Sequence, residues 1–462
     1  MPNRLLLWLV VLLAMPATAA PLTLDEVLAS SRFHAPQVLE ALARVRGAEG
    51  KRLSAEAAFD TVFSTNADTR LTGYYDGRDI EAKVTQPLAD WGGQVYAGYR
   101  VSGGSFPIYE DKRYTNQLGE IKAGAVFSLM RNRMIDDRRF GLVQADADIA
   151  LAEADRLMVA IGVQARAIQA YNGWVASGLR LRVYRDLLEL AEGRQTGFQR
   201  QVQEGMRPTI LLTENEQNIL RRRTLVVQSE QALAQAAQTL SLYYRDGDGR
   251  PVVVSADRLP ATLAPPLPRA ADPLALVAAR PDLRTIDIRM RQASQRLALD
   301  RNALLPTLDF NVEASQDLGA VGEGGSSRNG TDTRVGLTFT LPLQQRAARG
   351  RLAQTRAEID AFQQRRRFAE DQIVADIAGL GIAASQTARL TVLAGEESNR
   401  AEAMAVAERR RFTLGASDFF LVNVREEAAA DARVRRLDAA VRQVAAHADL
   451  AAATADLGVL GL

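Results

Sequence analysis

Residues that could carry catalysis or bind a metal are few in this chain and lie far apart. The only histidines are His34 and His447, and neither has companions at metal-ligand spacing. The chain contains no cysteine, which excludes thiolate catalysis, disulfides and thiolate metal sites. The glycine-rich stretch at 322–325 lacks the Lys-Ser/Thr pair of a phosphate-binding loop. The sequence therefore predicts no enzyme, no metal site and no cofactor.

Two glycines lie at breaks between long segments with helical periodicity. Gly205 and Gly415 occupy positions where a helical hairpin needs a residue that tolerates positive φ. Turn geometry alone accounts for both residues, and a docking role for the exposed hairpin tips is the alternative interpretation.

Four residues after the second break could form a constriction. Asp418, Phe419, Phe420 and Leu421 lie three to six positions after Gly415, where hairpins arranged around an axis would converge. Two adjacent phenylalanines can line a pore that closes by dewetting. The alternative for each of the four is a packed position in a coiled-coil seam.

The elements that hold these residues occur twice. The two glycines are 210 positions apart (415 − 205), and the same offset relates Gln144 to Gln354. Each copy is a very long helix followed by a break and a returning helix, and each is preceded by segments that alternate polar and apolar residues. Duplicated helical hairpins joined to alternating strands favour a tube over a catalytic pocket.

The first long helix is predicted from about Asp137 to Gln203, and its partner from about Pro208 to Tyr243. At 1.5 Å per residue the first would be roughly 100 Å long. Its apolar residues recur at spacings of four and seven, as in a coiled-coil seam: Leu157, Ile161, Ile168, Val175, Leu179 and Val183. A helical pattern is also predicted from Leu22 to about Ala58.

The alternating segments predict strands, four in the first half and two in the second. The prolines at 36 and 281 are 245 positions apart, whereas the helices repeat at 210, so the first half holds about 35 extra residues. Segment 80–102 alternates and fits one additional hairpin, although an external loop is the other interpretation. Alternating strands suit both a membrane barrel and a half-buried soluble sandwich.

Net charge and the distribution of apolar residues narrow the class of protein further. With 57 basic and 55 acidic residues the formal net charge is +2, which argues against nucleic-acid binding. The first 20 residues read as a signal peptide, with an apolar run from Leu5 to Leu13 and an Ala-x-Ala site. No later segment offers ~20 consecutive apolar residues. The sequence therefore predicts an exported protein that crosses a membrane, if it does so, as β-structure.

Several short motifs resemble the TolC family of outer-membrane channel proteins over essentially the whole mature chain. The residues that carry the resemblance are 22–28, 280–283, 304–308, 341–343 and 414–415. The resemblance implies a homotrimer that inserts into outer-membrane lipid, with its strands in one shared β-barrel and its helices in a long periplasmic tunnel. It also implies a periplasmic membrane-fusion adaptor bound at the tips, marked by Gly205 and Gly415, and an inner-membrane transporter that supplies the energy.

The resulting fold class is a mixed α/β membrane protein: a trimeric outer-membrane β-barrel continuous with an α-helical coiled-coil barrel and built on an internal two-fold repeat. Four or six strands per chain are possible, and six are favoured. The predicted divisions are a signal peptide (1–20), a first repeat with strands at about 60–130 and a tip near 205 (21–245), a linker or equatorial segment (246–272), and a second repeat with strands at about 306–343 and a tip near 415 (273–462).

The predicted function is a passive exit duct in the outer membrane of a Gram-negative bacterium. Small-molecule efflux is placed ahead of type I polypeptide secretion, and a structural periplasmic coiled-coil tether is the alternative from another class. Many relatives carry acidic residues after the second tip, whereas this chain has Phe419 to Asn423 there. We therefore predict an apolar constriction, with Leu421 as its foremost member, in place of an acidic gate.

Overall fold

The computed structural model describes residues 20–107, 112–268, 272, 275–322 and 328–462. The signal-peptide prediction, part of the glycine-rich loop at 322–327 and the linker positions 269–271 lie outside the described residues. Within the described ranges there are seven α-helices: α1 (Leu24–His34), α2 (Pro36–Glu56), α3 (Asp137–Gln203), α4 (Ile210–Ser241), α5 (Pro281–Asn302), α6 (Arg346–Thr413) and α7 (Phe419–Ala453).

The same ranges hold six strands: β1 (Val62–Thr69), β2 (Arg78–Pro87), β3 (Gln94–Gly103), β4 (Glu120–Ser128), β5 (Thr307–Asp317) and β6 (Thr331–Thr340). Four strands precede α3 and two precede α6, as the alternation of residues predicts. Segment 80–102 contributes β2 and β3 to the sheet and is not an external loop.

The chain divides into two compact units. One comprises the described residues up to Ala41 with Leu157–Arg280 and Asp371–Leu462, and the other comprises Leu42–Arg156 and Pro281–Glu370. We call them the hairpin unit and the sheet unit. The helices α3 and α6, of 67 and 68 residues, contribute to both.

The hairpin unit has one large apolar core. The predicted seam residues Ile161, Ile168, Val175 and Leu179 are buried in it, as is Trp174. Helix α1 joins this core through Val27 and Leu28, and Leu22 joins it just before the helix begins. The Tyr171 hydroxyl donates a 2.9 Å hydrogen bond to the Leu22 carbonyl. Burial of this apolar surface is the main force that holds the helices together.

One sequence expectation needs correction in this unit. The helical pattern of residues 22–58 breaks at Ala35, because the residue before Pro36 is driven out of the helical region. In α4 the apolar residues Leu220 and Val227 are 64% and 63% exposed. His447 on α7 is half-buried, and its Nδ1 lies 2.8 Å from the Leu267 carbonyl oxygen.

The segment between the two halves packs onto the helices. Val254 is buried in the core of the hairpin unit, and Leu259, Leu263 and Leu267 lie against that core. The described residues of this segment therefore pack against the core of the hairpin unit.

The sheet unit is built on one antiparallel sheet in which every strand pairs with its sequence neighbours, in the order β1-β2-β3-β4-β5-β6. β1 follows α2, β4 leads to α3, β5 follows α5 and β6 leads to α6. Because the strands alternate in direction, all four helical connections enter or leave at the same end of the sheet. The loops β1–β2, β3–β4 and β5–β6 lie at the other end.

Candidate functional site

The sheet has one charged face and one apolar face. Register fixes this division, because side chains alternate along each strand and directly paired residues share a face. Glu81 pairs with Asn66 and Arg100, Arg100 with Glu120, and Glu120 with Asp317. This polar face carries the charged residues Asp68, Asp79, Glu81, Lys83, Arg100, Glu120, Lys122, Asp309, Glu313, Asp317, Asp332 and Arg334.

The opposite face of the strands is apolar apart from Arg78 at the start of β2 and a few neutral polar side chains near the strand ends. Its large side chains are Phe63, Ile80, Val84, Val95, Tyr99, Val101, Ile121, Phe127, Leu308, Phe310, Val312, Val335, Leu337 and Phe339. Many are uncovered within the chain: Phe63 is 68% exposed, Leu337 66% and Phe339 61%. A continuous apolar surface formed by this many large side chains indicates a face that a second surface, outside the chain, covers.

Charges on the polar face are matched across strands. The Lys122 ammonium lies 2.5 Å from the Glu81 carboxylate, and Arg100 lies 2.6 Å from Glu120. The Tyr96 hydroxyl donates a 2.6 Å hydrogen bond to Glu313. These pairs satisfy the charged groups of a polar and partly covered surface.

Both edges of the sheet are open. Every residue of β1 is exposed, as is nearly every residue of β6, and these two strands pair only with β2 and β5. Unpaired N–H and C=O groups along an edge strand recruit further strands. The sheet is therefore incomplete within a single chain.

The two hairpin breaks have the same backbone geometry. Gly205 has φ of 67° and Gly415 has φ of 73°, in the left-handed region that favours glycine. The amide of Met206 donates to Gln201 at 2.8 Å, and that of Ala416 donates to Arg411 at 2.9 Å. Both breaks thus close their helix with a Schellman motif, and a methyl group added at either glycine would meet only open space.

The structure does not bring the four constriction candidates to one surface. Asp418 is the N-cap of α7 and accepts a 2.7 Å hydrogen bond from the Leu421 amide. Phe419 is 2% exposed and packs edge-on against Phe198, with ring centroids 4.8 Å apart. Phe420 is 66% exposed and Leu421 is half-buried. Phe420 and Leu421 therefore remain the candidates for a constriction, whereas Asp418 and Phe419 have partners within their own chain.

Sequence reasoning missed a buried cluster of charges near these residues, which we call the Glu426 node. The Glu426 carboxylate on α7 is ion-paired with Arg194 on α3 and with Arg222 on α4, the latter at 3.2 Å. Arg409 on α6 lies 3.7 Å from it. Glu426 and Arg222 both have side chains that are 1% exposed. A single carboxylate thus joins all four helices of the two hairpins.

Of the residues in the Glu426 node, Arg222 is the one that the sequence could have revealed. It lies three positions after the buried Ile219, on the covered stripe of α4, where a charge requires a partner. Burial lowers the pKa of the Arg222 guanidinium, and the neighbouring Glu426 carboxylate opposes this shift. The Arg222 Nη1 also donates a 2.7 Å hydrogen bond to the Leu187 carbonyl.

Helix α6 presents apolar residues to solvent. Ile382, Val392 and Leu393 are 64%, 62% and 59% exposed. Among the described residues α6 contains an 18-residue window with mean hydropathy of 1.3, of which 17% is buried, so by length and composition it passes for a membrane span. The stretch is interrupted by polar residues such as Gln386 and Arg389, so it is not a run of ~20 consecutive apolar residues.

Solved outer-membrane channels share this fold. OprN is 16% identical, with a TM-score of 0.64 over 93% of this chain and 89% of that chain. The open state of MtrE from Neisseria gonorrhoeae is 15% identical, with a TM-score of 0.66 over 93% and 88%. VceC from Vibrio cholerae is 14% identical, with a TM-score of 0.62 over 93% and 95%. No family model and no curated protein sequence matches the chain. The likeness confirms the predicted mixed helix-and-sheet fold, which these outer-membrane channel proteins share. The homotrimer, the shared barrel and the internal repeat stay predictions.

Proposed function

We propose that this chain is the outer-membrane exit duct of an export assembly in a Gram-negative bacterium. The observation that carries the proposal is the two-faced sheet, with its uncovered apolar face and its ion-paired polar face. A membrane barrel needs lipid-facing and water-facing side chains in strict alternation. The fold shared with OprN and MtrE, each an outer-membrane channel, supports the same location.

In this proposal the strands lie in the outer membrane and the helical hairpins extend into the periplasm. All four helical connections leave one end of the sheet, so they emerge on one side of the membrane. The loops at the other end would then face the outside of the cell. The exposed apolar stretch of α6 lies within a helix of 68 residues that is charged on both sides of the stretch. In this proposal it is therefore a helix surface that a neighbouring helix covers.

A homotrimer completes the proposed barrel. The open edges β1 and β6 need partners, and pairing β6 of one chain with β1 of the next removes every edge. Three chains of six strands give 18 strands, and barrel diameter grows with strand number. The exposed apolar stripe of α6 would be covered by helices of the adjoining chain.

The partners follow from the resemblance and from the geometry of the tips. We assign the adaptor-contact sites to the turns at Gly205 and Gly415, because both are open and have the same backbone geometry. An inner-membrane transporter would supply energy and select cargo. Small-molecule efflux remains our first choice of cargo, ahead of type I polypeptide secretion.

Membrane fractionation tests the proposed location. The mature protein should sediment with outer membranes, resist extraction by high salt and alkaline carbonate, and dissolve only in detergent. Complete release by salt would instead favour the periplasmic tether, in which the sheet belongs to a soluble domain.

A further inference from the structure

A groove of about 500 Å³ in the sheet unit lies between the helices α3, α5 and α6. Its walls include three arginines (Arg289, Arg296 and Arg351), two aromatic rings (Phe140 and Phe362) and two carboxylates (Asp300 and Glu358). The volume falls within the range of small-molecule sites. Three guanidinium groups against two carboxylates leave a net charge of +1 in the groove.

Two of the arginines share one buried carboxylate as their ion-pair partner. Asp300 is 2% exposed, and its Oδ1 lies 3.7 Å from Arg296 and 3.6 Å from Arg351. Its Oδ2 accepts a 2.7 Å hydrogen bond from the Thr355 hydroxyl. The side chains of Arg296 and Arg351 are 44% and 45% exposed. Asp300 therefore orients both groups without covering them.

An aromatic ring fixes Arg296 further. Its guanidinium carbon lies 5.4 Å from the centroid of the Phe140 ring, within the distance of a cation–π contact. Planar guanidinium groups with several free N–H donors recognise phosphate oxygens, and pre-organisation lowers the entropy cost of binding. The aromatic walls supply apolar contact beside the charge.

We propose that this groove binds the phosphate group of an anionic ligand, with Arg296 and Arg351 as its principal donors. A phosphodiester carries one negative charge and would neutralise the groove. Position suggests the source: Asp300 lies seven residues before β5 (307 − 300), at the end of the sheet where the helices begin. If the strands span the outer membrane as proposed above, this is the level of the periplasmic headgroups, and the ligand is a phospholipid.

Binding to the purified mature protein in a neutral detergent tests the proposal. The probes are dihexanoyl phosphatidylglycerol below its micelle concentration, inorganic phosphate, and dihexanoyl glycerol, which lacks the phosphate. Calorimetric titration should show saturable binding of the phosphatidylglycerol and none of the glycerol lipid. Arg296→Gln and Arg351→Gln should each raise the Kd about tenfold, since a hydrogen bond to a charged group is lost. Arg367→Gln, an exposed arginine of α6 outside the groove, should leave the Kd unchanged.

The Asp300→Asn variant distinguishes a site with positioned arginines from a general electrostatic attraction of the phosphate ligand to a basic surface. The substitution makes the groove more positive, so an unstructured electrostatic effect would tighten binding. If Asp300 positions the two arginines, binding weakens despite the added positive charge. Circular dichroism of the variant would show that the helices remain folded.

Three results would overturn the proposal: binding of neither phosphate probe, equal affinity in the arginine variants, or tighter binding by Asp300→Asn. Equal affinity for inorganic phosphate and for the lipid would support a phosphate site whose source is free phosphate. Because these titrations need no bilayer, their outcome is separate from that of the fractionation experiment on which the proposed location depends.

Discussion

At the scale of single residues, the Glu426 node is the most consequential feature of the hairpins. Three arginines on three helices surround one carboxylate, and Phe419 packs beside them with Arg194 5.7 Å from its ring. A buried charge that loses its partner is costly, because the interior cannot replace the lost hydration. The node therefore ties the two hairpins of a chain together at this level.

We expect Glu426→Gln to destabilise the protein by about 3–5 kcal/mol, because it leaves Arg222 buried without a carboxylate. Glu397→Gln is the matched control, since Glu397 forms an exposed pair with Arg435 and its loss should cost about 0.5 kcal/mol or less. Denaturant unfolding of the purified mature proteins measures both. Equal midpoints for the two variants would contradict a structural role for the node.

The hairpin glycines give a second residue-scale prediction. Gly415→Ala should lower the thermal midpoint, because an L-residue in the left-handed region costs about 1–2 kcal/mol while the surrounding space is open. Gly395→Ala, inside α6 with similar open space, should raise the midpoint, because alanine favours a helix by about 1 kcal/mol. A shift of the same sign in both variants would show that the positive φ at Gly415 does not matter.

Leu421 carries the constriction hypothesis. Leu421→Asp should increase the uptake of large antibiotics by intact cells, because a charge would keep an apolar constriction wet. Leu421→Met keeps the position apolar and should leave uptake at the wild-type level. With equal amounts of protein in the outer membrane, unchanged uptake in Leu421→Asp would exclude this position from the constriction.

At the scale of elements, the strands and long helices could be predicted from periodicity, whereas their partners could not. Alternation located all six strands, and the spacing of Ile161, Ile168 and Val175 located the seam of α3. The register of the sheet depends on long-range pairing, which one sequence does not display. Hydropathy alone does not reveal the covered stripe of α4, because that stripe includes the buried polar residues Asn215 and Arg222.

The two faces of β3 can be tested directly in this cysteine-free chain. Tyr96 is on the polar face, where its hydroxyl bonds to Glu313, and Tyr99 is on the apolar face. In membranes, Tyr96→Cys should react with a charged, water-soluble thiol reagent, whereas Tyr99→Cys should react only with a lipid-soluble one. Equal reaction of both cysteines with the charged reagent would place β3 outside a membrane.

At the scale of the whole molecule, the proposed barrel closes the open edges of the sheet with other copies of the chain. Light scattering in detergent should give a protein mass three times that of one chain, because two open edges per chain close only in a ring. A monodisperse monomer would contradict the proposed 18-stranded barrel. Such a monomer would also leave the apolar surface of α6 uncovered.

Single-channel recording in a planar lipid bilayer tests the central claim, a passive duct, most directly. The purified mature protein should produce discrete conductance steps, or rest closed and open in the Leu421→Asp variant, because the polar face of the sheet would line a water-filled pore. Silence in both proteins, once their insertion into the bilayer has been shown, would contradict the duct and leave the envelope tether as the better account.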